Sequence, residues 1–297
     1  PASRQIASAT AVVSVCCAMV AAAEPATGRM VKPFLLDLSH YDFSQAPKVK
    51  PWKVVPLPSG YCGPYVVAAD LDGDGEIELV TGRNAGTDQE LVCGAAVKLD
   101  GTVLWTWGAE NAGAQGHGCD AGLQVHDWDG DGKPEVFVAQ AKEILVLAGK
   151  DGKVLRRLPL PTDWYESVSK RQRVDCIAFA RFANAARPTD VIIKDRYNRI
   201  WAYSPDWKLL WTITKPGDRP TCHYPRPMDL DGDGYDEFFP GFALADRTGA
   251  LKWEMRDLQG FAKGHLDCAQ LVRAAKDPAE QRHGQPGAGR DGDALFR

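Results

Sequence analysis

The sequence lacks an excess of basic residues. Its 297 residues include 35 Lys and Arg against 39 Asp and Glu, which gives a formal net charge of −4 at pH 7. Nucleic-acid binding needs a basic surface that neutralises phosphates, so we expect no nucleic-acid partner. Many of the acidic residues are concentrated in three short loops, where a bound cation would neutralise them.

After residue 23 the chain also lacks any apolar run long enough to span a membrane. The beginning differs, because an apolar run from Ala11 to Ala23 follows Arg4 and ends in a small-residue, cleavage-like sequence. We therefore expect residues 1–23 to be a secretory signal peptide and the mature protein to be secreted or periplasmic. A buried N-terminal helix is the alternative.

Helical patterning is scarce as well. The 29 glycines, 20 prolines and 9 tryptophans are typical of many short strands and turns. Cysteines after the predicted signal peptide are Cys62, Cys93, Cys119, Cys176, Cys222 and Cys268. Disulfides, metal ligation and simple burial all remain open for them.

Three segments share aspartates at relative positions 1, 3 and 5, glycine at 6 and glutamate at 9. Their carboxylates are Asp70, Asp72, Asp74 and Glu78, then Asp127, Asp129, Asp131 and Glu135, then Asp229, Asp231, Asp233 and Glu237. This spacing lets a tight loop direct alternate carboxylates at one cation, and hard oxygen ligands favour calcium. Acidic turns without a metal are the alternative.

An EF-hand is excluded, because its loop needs a glutamate at position 12 and flanking helices. Position 12 is Thr81, Val138 or Pro240 here, and no helical pattern flanks the loops. The shorter loops resemble the calcium loops of FG-GAP repeats in integrin-type propellers. That resemblance implies that at least two of the three sites are structural.

The loops also mark a repeat. Asp127 lies 57 residues after Asp70, and Asp229 lies 102 residues after Asp127, which is close to two repeats. A degenerate unit, Val174–Ala180 followed by Asn184–Asp190, stands midway without the loop's carboxylates. Each unit continues with two apolar runs around a tight turn such as Asp100-Gly101, which predicts a hairpin.

We therefore predict an all-β fold, a β-propeller of four-stranded blades with DxDxDGxxE calcium loops. It would be incomplete here, with about four blades and the start of a fifth near His265. The predicted divisions are 24–50 (linker or first strand), 51–276 (blades) and 277–297 (disordered tail or interior of a longer protein). We favour a longer protein, since an open ring leaves strand edges unpaired.

The strands that enter each blade contain an unusual set of residues. They include Tyr61-Cys62, His117-Gly118-Cys119, Asp175-Cys176, Cys222-His223-Tyr224 and His265-Leu266-Asp267-Cys268. The first strand of a propeller blade lines the central channel, so these side chains would converge on one axis. Histidines and cysteines there could bind zinc in addition to calcium in the loops, or they could pack a narrow channel.

A further resemblance comes from an ordered series of motifs. Lys194-Asp195-Arg196-Tyr197, His223-Tyr224-Pro225, the loop at Asp229, and Gly241-Phe242-Ala243-Leu244 resemble the secreted polysaccharide lyases with propeller folds. These are the ulvan lyases and, more distantly, the rhamnogalacturonan lyases. The resemblance covers roughly residues 60–272.

The resemblance implies β-elimination at a uronate of an acidic polysaccharide. His117 and His223 are then the candidate base or acid, and Tyr197 or Tyr224 is the candidate partner. Arg196 would pair with the sugar carboxylate, because a planar guanidinium fits a carboxylate. His223 and Tyr224 should face opposite ways on an extended strand, so we expect only one of them in the channel. We expect a monomer. A non-catalytic propeller that binds carbohydrate or protein is the alternative function.

Overall fold

The computed structural model describes residues 42, 44, 48–85, 90–114, 122–162, 174–255, 266, 267 and 269. Of its two compact units, the one spanning Lys48–Ala269 contains every strand described below. The predicted signal peptide, the predicted tail and most of residues 24–50 lie outside the described residues. Within those ranges, no helix is long and apolar enough to cross a membrane.

The strands form three four-stranded sheets and one three-stranded sheet, all antiparallel. The first two sheets are β1–β4 (Tyr65–Ala69, Glu78–Asn84, Leu91–Lys98, Val103–Trp107) and β5–β8 (Leu123–His126, Glu135–Ala139, Glu143–Ala148, Val154–Pro159). The others are β9–β12 (Cys176–Ala180, Asp190–Lys194, Arg199–Tyr203, Leu209–Thr214) and β13–β15 (Phe238–Gly241, Ala243–Ala245, Leu251–Glu254). A short 3-10 turn spans Pro216–Asp218.

Each sheet is a meander whose strand order follows the chain. The predicted hairpins are present, and the first turns at Gly101, whose φ of 92° a residue with a side chain resists. Strand β1 contacts β5, and β5 contacts β9, so the first strands of successive sheets are neighbours. This arrangement confirms the predicted all-β fold, a partial β-propeller of four-stranded blades.

The apolar core lies between blades rather than within one. On β6, Val136 and Val138 pack towards the first blade, whereas Phe137 and Ala139 pack towards the third. A middle strand therefore buries both faces, which explains why its sequence is continuously apolar rather than alternating. The fourth strand of a blade is the exposed one, as Val154 and Leu155 on β8 show.

A repeated contact joins each blade to the next. The indole N–H of Trp105 on β4 donates to the Gly149 carbonyl near the β7–β8 turn at 2.6 Å. Trp211 on β12 donates equivalently to the Arg247 carbonyl at 2.9 Å, and Arg156 on β8 reaches the Pro205 carbonyl at 2.9 Å. The outer edge of one blade thus binds the hairpin turn of the following blade.

The predicted entering strand of the fourth blade, around Cys222–Pro225, is not a regular strand. Among the described residues, Tyr224 and Met228 each form only an isolated bridge before β13, and Met228 pairs with Glu237. Pro225 and Pro227 interrupt the ladder because proline has no N–H to donate. The backbone N–H groups of His223 and Tyr224 instead donate to the carbonyls of residues 266 and 267, at 2.9 and 3.1 Å.

Candidate functional site

The first acidic loop is shaped by its own carboxylates. Asp70 accepts hydrogen bonds from the backbone N–H groups of Gly73 at 2.7 Å and Gly75 at 3.0 Å. Glu78 lies on β2 and accepts one from the N–H of Leu71 at 2.9 Å. The loops at Asp127 and Asp229 repeat these bonds. Each loop therefore has a fixed shape that the sequence pattern encodes locally.

The first, third and ninth residues of each loop bring their carboxylates together. In every loop, one oxygen from each of these three residues lies within 4.8 Å of the others. The carboxylates are Asp70, Asp72 and Glu78, then Asp127, Asp129 and Glu135, then Asp229, Asp231 and Glu237. The predicted fourth ligands, Asp74, Asp131 and Asp233, lie outside these groups, and their ligand role stays a prediction.

The charge and burial of these groups fit a metal ion. Glu78 is fully buried, and among the described residues its Oε1 has no hydrogen-bond partner. Burial and then the neighbouring aspartate charges raise the pKa of Glu135 above the usual range for glutamate, and burial also raises that of Glu237. A cation bound among the oxygens would relieve this repulsion, because it stabilises the charged carboxylates.

In the third blade, other residues occupy the positions of the predicted metal ligands. Arg181 occupies the position of the first loop aspartate, and its guanidinium binds Asp236 of the next blade at 2.7 Å. Asp190 takes the part of the glutamate, since it accepts the backbone N–H groups of Phe182 at 2.9 Å and Ala183 at 2.8 Å. The sequence showed that this loop is degenerate but did not reveal these two roles.

A second cluster brings predicted catalytic residues together beside β10. The Nε of Arg196 donates to the phenol oxygen of Tyr197 at 3.1 Å. The Tyr197 ring meets the His223 ring edge to face, with centroids 5.7 Å apart. The Nε2 of His223 lies 3.8 Å from the exposed carboxylate of Asp267. Three predicted residues from two separate segments are therefore neighbours.

A buried ion pair supports this cluster. Lys194 at the end of β10 is completely buried, and its Nζ donates to Asp175 at 2.9 Å and to the Arg196 carbonyl at 3.2 Å. Burial is the largest single effect and acts to lower the pKa of Lys194, but the charge and hydrogen bond of Asp175, together with the nearby Cys176 and Cys222, raise it overall. The guanidinium of Arg196 lies farther from Asp175, at 3.9 Å.

Tyr224 points away from its neighbour His223. It packs against the apolar core between the third and fourth blades, whereas His223 meets Tyr197. Burial raises the pKa of Tyr224 to about 12, and a nearby Cys176 adds to this effect. Tyr224 is therefore protonated at neutral pH, and burial makes its hydroxyl a weaker acid than an exposed phenol.

Other predicted site residues are not brought together in the described part of the chain. His117, Cys119, His265 and Cys268 lie outside the described residues. Cys62, Cys93, Cys176 and Cys222 form no disulfide with one another. Among the described side chains, the three carboxylate loops are the metal-capable groups, and no histidine–cysteine group joins them.

Solved structures with the same fold are rhamnogalacturonan lyases. The Bacillus licheniformis rhamnogalacturonan lyase PL11 is 22% identical, with a TM-score of 0.50 over 67% of this chain and 42% of that one. The rhamnogalacturonan lyase YesW and the exotype enzyme YesX are each 24% identical, with TM-scores of 0.50 over 70% of this chain. The match covers 45% of YesW and 44% of YesX, so this chain spans less than half of these lyases.

These matches confirm the predicted resemblance to a polysaccharide-lyase propeller at the level of the fold. No protein-family model matches the chain, and no curated protein sequence matches it either.

Proposed function

We propose that this protein is a secreted, calcium-containing polysaccharide lyase that cleaves a uronate-containing chain of the ulvan or rhamnogalacturonan type. The observation that carries the proposal is the contact of Arg196, Tyr197 and His223. A cation that can pair with a carboxylate stands beside two groups that can exchange protons. This is the set that β-elimination needs, and it sits on a propeller of the rhamnogalacturonan lyase kind.

The proposed reaction has one proton removed and one returned. Arg196 pairs with the sugar carboxylate, which makes the C5 proton more acidic. His223 or Tyr197 removes that proton, the electron pair forms the C4–C5 double bond, and the bond from C4 to O4 breaks. The other group of the pair, or His117, returns a proton to the leaving O4. Tyr224 packs against the apolar core, so we do not assign it this step.

Because of the buried ion pair, Arg196 remains available to bind the substrate carboxylate. Asp175 would otherwise attract the guanidinium more strongly, because this carboxylate is completely buried and poorly screened, although the Arg196 side chain is partly exposed. Lys194 binds that carboxylate more closely, at 2.9 Å against 3.9 Å for Arg196. Arg196 then keeps 34% of its side-chain surface exposed and can pair with a carboxylate of an acidic polysaccharide.

Calcium is the ion we propose for the three loops. Their ligands are all carboxylate oxygens, which suit a hard cation, and calcium takes about 6–8 oxygens in flexible geometry. Bound calcium would supply charge neutralisation and fix the loops that begin β2, β6 and β13. The loop at Asp229 closes the segment that carries His223, so calcium there would position that segment rather than take part in the chemistry.

Export follows from the proposed signal peptide at residues 1–23. We also propose zinc binding by His117, Cys119, His265 and Cys268, because histidines and cysteines recur on the predicted entering strands of the repeats. We propose a monomer.

The test is ultraviolet absorbance of the unsaturated uronate product. The full chain with calcium is incubated with a panel of uronate polymers that includes ulvan and rhamnogalacturonan. We expect absorbance to grow with at least one polymer and to fall at least ~100-fold in rate with His223→Ala, since general acid–base catalysis contributes about that much. A protein that binds the polymers but produces no absorbance would be the non-catalytic propeller. Full activity in His223→Ala would refute the assigned residue alone.

A further inference from the structure

The first metal loop has a lysine among its ligands. The Nζ of Lys98 lies 2.8 Å from Asp74, 3.6 Å from Glu78 and 3.7 Å from Asp72. This side chain comes from β3, not from the loop itself. Two of the carboxylates it approaches, Asp72 and Glu78, belong to the predicted ligand group of that loop.

The register of the sheet places Lys98 there. Lys98 pairs directly across from Glu78 in the β2–β3 ladder. In the second blade, the residue paired with Glu135 is Ala148, which has no charge. Side chains of directly paired residues lie on the same face of a sheet and within reach of each other, so backbone pairing fixes this difference.

The second loop has no such lysine among its described neighbours. Lys133 approaches Asp131 at 3.7 Å, but it belongs to the loop and is mostly exposed. The guanidinium of Arg187, from the third blade, lies against Gly130 of this loop, but it donates to the backbone carbonyl of Trp128 and, within the described residues, forms no ion pair with the loop's carboxylates. In the third loop, Lys252 lies 4.0 Å from both Asp231 and Glu237.

A divalent ion and Lys98 therefore need the same oxygens. Glu78 is fully buried, and its Oε1 makes no hydrogen bond within the described part of the chain, so a cation is the expected partner of this oxygen. A lysine ammonium within 4 Å would repel an arriving calcium ion and would have to swing away before the ion could bind. Until then, Lys98 itself neutralises part of the loop's charge.

We propose that the three loops are not equivalent. Lys98 is a built-in cation of the first loop. The first loop therefore binds calcium more weakly than the second loop does, and it depends less on calcium. The third loop, with Lys252 at a greater distance, is intermediate. This inference rests on the proposed calcium binding but not on the proposed lyase activity.

The test measures calcium affinity loop by loop by calorimetry. One full-length variant keeps only the first loop, through Asp127→Asn and Asp229→Asn. A second variant keeps only the second loop, through Asp70→Asn and Asp229→Asn. We expect the first-loop variant to bind calcium at least ~10-fold more weakly, because one nearby unit charge opposes the ion.

Two further substitutions test the cause. Lys98→Met in the first-loop variant keeps the aliphatic part of the side chain and should remove most of the difference in calcium affinity. Ala148→Lys in the second-loop variant should weaken calcium binding by a similar factor. In the otherwise unaltered chain, Lys98→Met should increase the calcium affinity of the weakest of the three sites. Equal affinities in both variants, or no effect of Lys98→Met, would overturn the inference while leaving calcium binding intact. Absence of binding at every loop would overturn the calcium proposal as well.

Discussion

Replacing Lys194 by methionine should destabilise the propeller strongly. Lys194 and Asp175 are both completely buried, and the substitution leaves the aspartate charge without its closest partner. Breaking a buried ion pair in this way typically costs about 3–5 kcal/mol, since the remaining charge is poorly solvated. The farther guanidinium of Arg196, at 3.9 Å, offsets part of this cost, so we expect about 3 kcal/mol.

The assay is urea unfolding followed by tryptophan fluorescence, with calcium in constant excess. The double variant Lys194→Met with Asp175→Asn should recover much of the loss, because no charge is then left unpaired. Lys153→Met is the matched control, since Lys153 binds Asp151 on the exposed surface and should matter little. A loss below about 1 kcal/mol for Lys194→Met would refute the reasoning that this pair is a buried support.

Three further predictions concern metal, thiols and blade contacts. Excess chelator should lower the melting temperature of the full chain, and an unchanged melting curve would contradict calcium binding. In peptide-mapped alkylation of the native protein, Cys62 should react faster than Cys93, because Cys93 is buried and burial raises the pKa of its thiol; equal rates would contradict the packing. Gly152→Ala should destabilise more than Gly73→Ala by thermal melting. Both glycines have positive φ, but only at Gly152 would the new methyl group meet a neighbour, the ring of Trp105 at 2.7 Å.

The features that could be predicted from the sequence are those that neighbouring residues determine. The carboxylate spacing of the loop at Asp70 defines a turn whose hydrogen bonds join residues at most seven apart. The hairpin at Asp100-Gly101 depends equally on local turn chemistry. Because these signals recur along the chain, the repeat and the propeller class followed from them.

The features that could not be predicted depend on register and on contacts between blades. Lys98 reaches the first loop only because β3 pairs with β2 in one register, and a shift by one residue would turn it to the other face. In the sequence, Asp190 belongs to a loop that has lost its metal-binding pattern. It nevertheless keeps the role of the loop glutamate, because it accepts the backbone N–H of Phe182. The ion pair of Lys194 with Asp175 joins two strands and leaves no local signal.

The proposed catalytic cluster likewise combines features that the sequence predicts with features that it does not. The motifs supplied Arg196, Tyr197, His223 and Tyr224 as candidates but no distances between them. Alternation along an extended segment predicted that His223 and Tyr224 face opposite ways, and the structure places them so. Which of the two faces Tyr197 depends on the packing of the fourth blade against the third, which the local pattern does not contain.

The most direct test of the central claim is the mass of the products released from rhamnogalacturonan or ulvan by the calcium-loaded chain. β-Elimination creates a new non-reducing end that carries a C4–C5 double bond and is lighter by one water than the product of hydrolysis. We predict that lighter, ultraviolet-absorbing product, and we predict its loss in Arg196→Ala with the fold intact by circular dichroism. Products of hydrolytic mass, or none from any uronate polymer, would contradict the account.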